Sequence, residues 1–434
     1  MKPKPAHNTT PATVMPASQN LVADSVQASS PQPLRVLHFI CSTGFYGAEK
    51  WVLALANNLD TAAVHSELAV TRESADHDLE LTRQFRALSL PAHEIELAGR
   101  FDIISAVKKL AELIRERRID IIHTHGYKSD ILGILAARRS GVASVCTPHG
   151  FENADDWKLG LYIKLGCQTF RFFDRVAPLS LQLVEDVKRY GVKHDRITYI
   201  QNGVDLKPIE IERQKRQQER RAIASVPILD GNSDQQNEKS ESTPKSIDEQ
   251  SAERTIGFIG QLISRKNVGD ILTIFDALAA QHPAIKLVLL GDGEERLALE
   301  EQAAGLASND RIEFKGFVND PLAWLRSFDL FVLTSTLEGI PRCVMESMAM
   351  GVAIAAYDIA GIDQLLEHDK TGLLCKFGDR ETMQRLWESA LFDAELAQRI
   401  SDSAAVSVRE RFSAAAMAER YTALYAELIV EKTA

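Results

Sequence analysis

Two carboxylates stand where a carboxylate is costly. In "TLEGIPRCVMESMAMGVAIAAYD" (residues 336–358), Glu338 precedes Gly339, Ile340 and Pro341, and Glu346 lies inside an otherwise apolar helix-like run. Seven residues separate the two glutamates. Glutamate is almost never fully buried unless something pairs with it. A glutamate in such a run is therefore expected to face a cleft. Its two oxygens can accept from neighbouring hydroxyls at once, as a vicinal diol presents them. The alternative for Glu346 is a surface position on the helix. Glu338 ends the apolar run "DLFVLTST". Proline suits a first helical turn, so the backbone after Gly339 and Ile340 is expected to open a helix whose N–H groups can bind an anion. The alternative for Glu338 is a charge favoured by the helix dipole.

Two cations, Arg265 and Lys266, follow the run "TIGFIG". Fixed cations there can stabilise a leaving group as its negative charge grows; the alternative is ordinary helix surface. Gly44 and Gly47 flank "FY" after the first strand-like run. Such a loop lets the backbone approach a phosphate or sugar closely, although it lacks the G-x-G-x-x-G form of a dinucleotide site. His149, in "TPHGF", ends another strand-like run. It is either a cleft residue or a satisfied loop histidine. His123 and His125 form an H-x-H, but no third ligand stands at a fitting spacing, so no metal site is expected. "DHD" (76–78) reads as solvated surface at a helix start.

Positioning such residues requires a scaffold, and the alternation of short apolar runs with helical patterns supplies one. Strand-like runs fall at 34–40, 64–70, 93–97, 119–124, 142–147, 175–179 and 197–201. Helical segments such as "ISAVKKLAELIRERR" (104–118) lie between them, with apolar residues at three and four spacing. The pattern breaks over the polar residues 210–254 and restarts with runs at 255–260, 285–293, 311–316, 329–335, 351–358 and 372–376. Alternating βα units imply parallel sheets covered by helices, with ligands at the carboxyl ends of the strands. The expected organisation is α/β: a disordered leader (1–33), a Rossmann-like domain (34–209), a polar inter-domain insertion that is mostly disordered with a helical start (210–254), and a second Rossmann-like domain closed by helices (255–434). The two doubly wound domains would face each other across a cleft. Asn202-Gly203 reads as a tight turn at the hinge.

The bulk composition excludes several functions. The chain has 434 residues, 45% hydrophobic and 25% charged, with a net charge of -10, which argues against nucleic-acid binding. Five cysteines in no C-x-x-C pair read as small core residues of a reducing cytoplasm. The leader has no continuous apolar segment of signal-peptide type. No uncharged apolar stretch reaches the ~18 residues a spanning helix needs. "WKLGLYIKLGCQTFRFFDR" (157–175) interleaves aromatic and basic residues. It reads either as an amphipathic contact with an anionic membrane surface or as a core-facing helix with a basic edge.

Taken in order, "STGFYGAEKWVLALANNL", "IIHTHGYKSDILGILAARRSG", "TPHGF", "YIQNGVD", "IGFIGQL" with "SRKN", "LVLLGDGEE", "FKGFVND" and "EGIPRCVMESMAMGVAIAAYDIAGIDQLL" resemble the family-4 retaining glycosyltransferases of GT-B fold. The resemblance spans residues 34 to about 425, outside the leader and the insertion. It implies a cytoplasmic enzyme, peripheral on the membrane in some members, that transfers a hexosyl or N-acetylhexosaminyl group from a nucleotide-diphosphate sugar. It also implies no cofactor or metal, and a UDP-sugar donor in preference to a GDP-sugar. The implied acceptor is a lipid-linked glycan of cell-envelope or exopolysaccharide synthesis. On the matching positions, Glu346 would hold the nucleotide ribose. Glu338 would contact donor-sugar hydroxyls beside Gly339 and Ile340. Lys266 and Arg265 would face the diphosphate, and His149 the transferred sugar. Gly44 and Gly47 would line the donor cleft. Gln261 departs from the pattern, since the family usually has an arginine there. Two other readings of the architecture are a nucleotide-sugar epimerase and a non-catalytic nucleotide-sugar-binding protein.

Overall fold

The computed structural model describes residues 32–41, 47–72, 79–97, 102–149, 157–224 and 253–433. Gly44, the "DHD" run, the leader up to residue 31 and residues 225–252 lie outside the described residues.

The first sheet holds β1 (Leu34–Ile40), β2 (Val64–Arg72), β3 (Ala92–Glu96), β4 (Ile121–His125), β5 (Ala143–Cys146) and β6 (Arg175–Val176). All pair in parallel, in the order β3-β2-β1-β4-β5-β6. The second holds β7 (Arg254–Ile259), β8 (Ile285–Leu290), β9 (Ile312–Gly316), β10 (Leu330–Leu333), β11 (Ala353–Asp358) and β12 (Leu373–Lys376). Its order is β12-β11-β10-β7-β8-β9, again parallel, so the two sheets share one topology. The central strands are buried on both faces because helices cover both, which is why they read as unbroken apolar runs. In each sheet the strand order reverses beside the first strand, between β1 and β4 and between β7 and β10. A crevice opens there outside the carboxyl ends.

Four details differ from the sequence expectations. Residues 197–201 form no strand; Ile197 makes a single bridge to Val176. The helical start expected for the polar stretch from 210 is there, but as part of a longer helix over Leu206–Ala224 that begins before the stretch and packs against the Arg342–Met350 helix. Arg216 on that helix is buried and donates to the Arg326 carbonyl, which anchors residues that composition alone marks as linker. The final helix, Ala414–Thr433, joins the other domain: Met417, Tyr421, Leu424 and Tyr425 share a core with Val36, Val52, Leu55 and Ile121.

The fourth is the Asn202-Gly203 pair, which makes no turn. Val204 N donates to the Phe412 carbonyl (2.9 Å) and Ala414 N to the Val204 carbonyl (2.8 Å), so the outgoing and returning strands of the hinge are zipped together. A Cβ on Gly203 would lie 2.6 Å from the Ser413 carbonyl oxygen, and glycine is required there for that close approach.

Candidate active site

The carboxyl ends of β7 and β10 bring the second domain's charges together. After β7 the backbone makes a short turn over Ser264–Lys266, and Asn267 takes a left-handed conformation (φ +49°). That strained residue is held from two sides. Its side-chain amide donates to Asp270 (2.9 Å), and its carbonyl accepts from Thr334 Oγ1 (2.9 Å). Asp270 also accepts from Tyr357 OH (2.8 Å) and from Arg380 Nε (2.7 Å). This buried network, which the sequence did not signal, fixes the loop that presents Lys266.

Lys266 Nζ donates to Glu338 Oε1 at 2.6 Å, with the two residues only 8% and 5% exposed. Thr336 N donates to the Arg265 carbonyl (2.9 Å) and ties the two loops together. Arg265 itself uses its backbone here, while its side chain is exposed, as is Gln261. Gly339 has open space on its side-chain direction, and the half-buried Ile340 follows it. The Ile340 carbonyl accepts from Asn202 Nδ2 (3.4 Å), a contact from the hinge. Gly361, at φ +92°, sits so close beneath this loop that a Cβ would lie 2.0 Å from the Gly339 carbonyl oxygen. Only glycine fits that backbone and that approach.

Glu346 is 6% exposed, on the Arg342–Met350 helix. Arg342, one turn earlier, donates to its Oε1 at 2.6 Å, which is how the apolar helix tolerates a carboxylate. Pro341 precedes the helix, and no side chain caps its N-terminus. Lys50, from the opposite domain, lies within electrostatic reach of this pair. Its ammonium is pulled below the usual lysine range by burial and by Arg342, while Glu346 opposes the shift. Gly47 begins the helix that carries Lys50 and faces open space. Trp51, next to Lys50, packs edge-on against His149 with ring centroids 5.0 Å apart.

His149 thus belongs to the first domain's crevice, half-buried at the end of β5. Burial holds its imidazole down to about 4. The structure adds what the sequence lacked, a third histidine beside the H-x-H. His38 on β1 pairs in register with His123 on β4, and ligand nitrogens of His38, His123 and His125 lie within 4.8 Å of one another. The signal was present as inward-facing histidines on two strand-like runs, but their adjacency is set only by strand register. Within the amphipathic segment, Phe170 and Phe173 are fully buried, while Leu165 (53%) and Phe172 (45%) are exposed. All five cysteines are free. Among the described residues no helix is long and apolar enough to cross a membrane.

A cavity of about 820 Å³ lies elsewhere, at the amino ends of β7, β8 and β11, with Arg216, Arg254, Asp329 and Glu388 on its walls. Sheets of this kind bind ligands at the opposite ends, so the paired charges and not this cavity mark the site.

Comparison with known proteins bears on the family and the fold. The family model "Glycosyl transferases group 1" matches residues 239–406 and "Glycosyltransferase Family 4" matches residues 45–208. A glycosyltransferase of Haemophilus influenzae is 33% identical over 150 residues, 34% of this chain and 42% of that protein, less than half its length. The UDP-Gal:α-D-GlcNAc-diphosphoundecaprenol α-1,3-galactosyltransferase of Escherichia coli is 26% identical over 330 residues, 71% of this chain and 76% of that protein. The crystal structure of Anabaena HepE in complex with UDP-glucose superposes with a TM-score of 0.71 at 17% identity, covering 91% of this chain and all of HepE. With one family model on each Rossmann-like domain, the chain belongs to the family 4 glycosyltransferases of GT-B fold.

Proposed function

We propose that this glycosyltransferase moves a hexosyl or N-acetylhexosaminyl group from a UDP-sugar to a lipid-linked glycan of envelope or exopolysaccharide synthesis, with retention of configuration. The observation that carries this reading is two ion pairs at the carboxyl ends of one sheet, Lys266–Glu338, buried on both sides, and Arg342–Glu346, in which the carboxylate is buried. Charges so deeply buried are costly unless partnered, and a diphosphate sugar offers new partners to each. Glu346 accepts from the ribose hydroxyls. The uncapped helix N-terminus and Lys266 take the diphosphate, and Glu338 takes donor-sugar hydroxyls beside Gly339. His149 and the Gly47 end of the first domain face the sugar and its acceptor.

Lys266 then acts on the bond-breaking step, since phosphate charge grows as the glycosidic bond lengthens. In a front-face displacement the departing phosphate oxygen takes the acceptor's proton, and the new bond forms on the face the nucleotide leaves. The cations already in place serve the phosphate without a metal, so turnover is expected to persist in EDTA. A UDP donor is supported by the E. coli relative's UDP-Gal and by the UDP-glucose held in HepE. Lys164, Leu165, Arg171 and Phe172, all exposed, form a surface of basic and apolar side chains for peripheral contact with the cytoplasmic face of a membrane.

A thermal-shift series with UDP-, GDP- and ADP-sugars tests the donor. A ligand at a hundred times its Kd stabilises the native state by about 2.7 kcal/mol. No shift with any of them would remove the reading. Release of an altered nucleotide sugar without acceptor would replace it with epimerisation, and binding without turnover would leave a non-catalytic binder. NMR of the product's anomeric centre decides retention.

A further inference from the structure

Behind His149 lies a line of imidazoles that sugar transfer as described leaves unused. His149 Nε2 is 3.3 Å from His125 Nδ1, and His125 Nε2 is 3.3 Å from His38 Nδ1. His38 and His125 are almost wholly buried, and His38 Nε2, the far end of the line, has no hydrogen-bond partner among the described residues. His123 stands beside the line but outside it. Its Nδ1 hydrogen-bonds Tyr425 OH (2.7 Å) and its Nε2 bonds Thr147 Oγ1 (2.8 Å), which in turn meets Tyr421 OH (2.8 Å).

We propose that His38 and His125 are positioning residues that fix the tautomer of His149, leaving the proton on its Nδ1 as a hydrogen-bond donor to an oxygen of the bound sugar or acceptor. The proposal rests on the reading that His149 faces the transferred group.

Counting protons gives the direction. Burial holds His38 down to about 3 and His125 well below its usual range, so near neutral pH each ring carries one proton. Three protons serve three rings, and two of them fill the two nitrogen–nitrogen contacts. The third sits at one end, either on His38 Nε2 or on His149 Nδ1. On His38 Nε2 it would be a buried N–H with no acceptor, the rarer and costlier kind of orphan. On His149 Nδ1 it lies at the half-exposed end, where water or substrate accepts it. The line therefore runs His38 Nδ1–H to His125 Nε2, then His125 Nδ1–H to His149 Nε2. A bare ring nitrogen is left on His38. The imidazole at the sugar is a neutral donor held in place before substrate arrives, which limits the ordering left to binding. Of the three clustered imidazoles, His123 and His125 have both nitrogens engaged by hydroxyls or by the line, and the one bare nitrogen, on His38, is too few donors to hold a metal.

The test uses the full-length protein labelled with ¹⁵N-histidine. Two-bond ¹H–¹⁵N correlation spectra at pH 7.5 are assigned to His149 through His149→Asn. The expected spectrum shows the Nδ1–H tautomer of His149. His38→Phe keeps a ring but removes the donor. It is expected to mix the His149 tautomers and lower kcat about tenfold, with UDP affinity by calorimetry unchanged. His38→Asn places an amide donor near the Nδ1 position and is expected to restore both tautomer and kcat. Tyr425→Phe, which removes only the hydroxyl bonded to His123, is expected to change neither.

A His149 Nε2–H tautomer in the wild type overturns the proposal. So does a His38→Phe protein with unaltered tautomer and kcat. One equivalent of zinc or another transition metal in the purified protein, by elemental analysis, also overturns it in favour of a metal centre. Should His38→Phe not fold, the wild-type tautomer and His38→Asn still decide. If the protein transfers no sugar at all, the spectra test the imidazole line independently of the transferase reading.

Discussion

The two sheets have the same strand order and the same reversal beside their first strand, yet their crevices carry opposite chemistry. The first domain lines its crevice with imidazoles that burial keeps uncharged. The second keeps Lys266, Glu338, Arg342 and Glu346, each joined to an opposite charge. One topology therefore dictates where a ligand sits but not what it is. A charged diphosphate calls for fixed, paired charges that can exchange partners. A sugar hydroxyl calls for neutral donors and acceptors, and a neutral ring can be buried without an ion partner.

The comparison predicts where substitution hurts most. Lys266→Ala is expected to lower the single-turnover rate by ~10²–10³, about 2.7–4 kcal/mol, with a smaller loss of UDP-sugar affinity. Pairing it with Glu338→Gln should recover stability lost by stranding a buried carboxylate. Lost affinity with the saturating single-turnover rate unchanged would place Lys266 in ground-state binding only.

Glu346→Ala is expected to weaken UDP itself, not only the full donor, by about 1.5–3 kcal/mol in calorimetry. Unchanged UDP affinity in a folded variant removes the ribose contact.

Acid acts on the first domain next. The folded histidines titrate below the ordinary 6.5, with His38 at about 3 and His149 at about 4. Between those values the unfolded chain binds more protons than the folded one. Their contribution is complete above pH 6.5 and is lost as pH falls towards 4, by up to about 1.4 kcal/mol per pH unit for each histidine. Glu67 behaves later. Burial would raise it, but hydrogen bonds from His93 and Arg117 and the charges of Arg117 and Arg35 outweigh that and hold it at about 2. Its contribution is lost only as pH falls from 4.5 towards 2. Calorimetric Tm measured against pH should drop from 6.5 downward, and less steeply in His38→Asn. A flat profile to pH 4.5 would contradict the neutral crevice.

Arg265→Ala is expected to do least. Its exposed side chain lacks the burial that gives Lys266 its leverage, so the single-turnover rate should change about twofold or less. A loss as large as that of Lys266→Ala would show that the exposed arginine substitutes for the one missing at Gln261.

Much of this was legible in the chain. Alternating apolar runs and helical stripes imply parallel α/β domains because side-chain period is a local property. The candidates Lys266, Glu338 and Glu346 stand out because charged residues in apolar surroundings are costly wherever the chain folds. At residues 210–224 the sequence offered a helical start but not its packing, because one buried arginine and its carbonyl partner outweigh a hydrophilic average. The final helix was assigned to its neighbours in sequence, whereas its tyrosines pack under the first sheet after the chain crosses back at Ser413.

By itself, then, the sequence determined the repeating βα architecture and the loops that hold the candidate charges, since both follow from short-range pattern. Only the tertiary structure decided which of those groups meet. Lys266 and Glu338 are joined across 72 positions, His38 and His125 across 87, and His123 and Tyr425 across 302. Strand register, the zipped hinge and the close approach at Gly361 create those contacts, and long-range contacts of this kind leave no periodic trace in the chain.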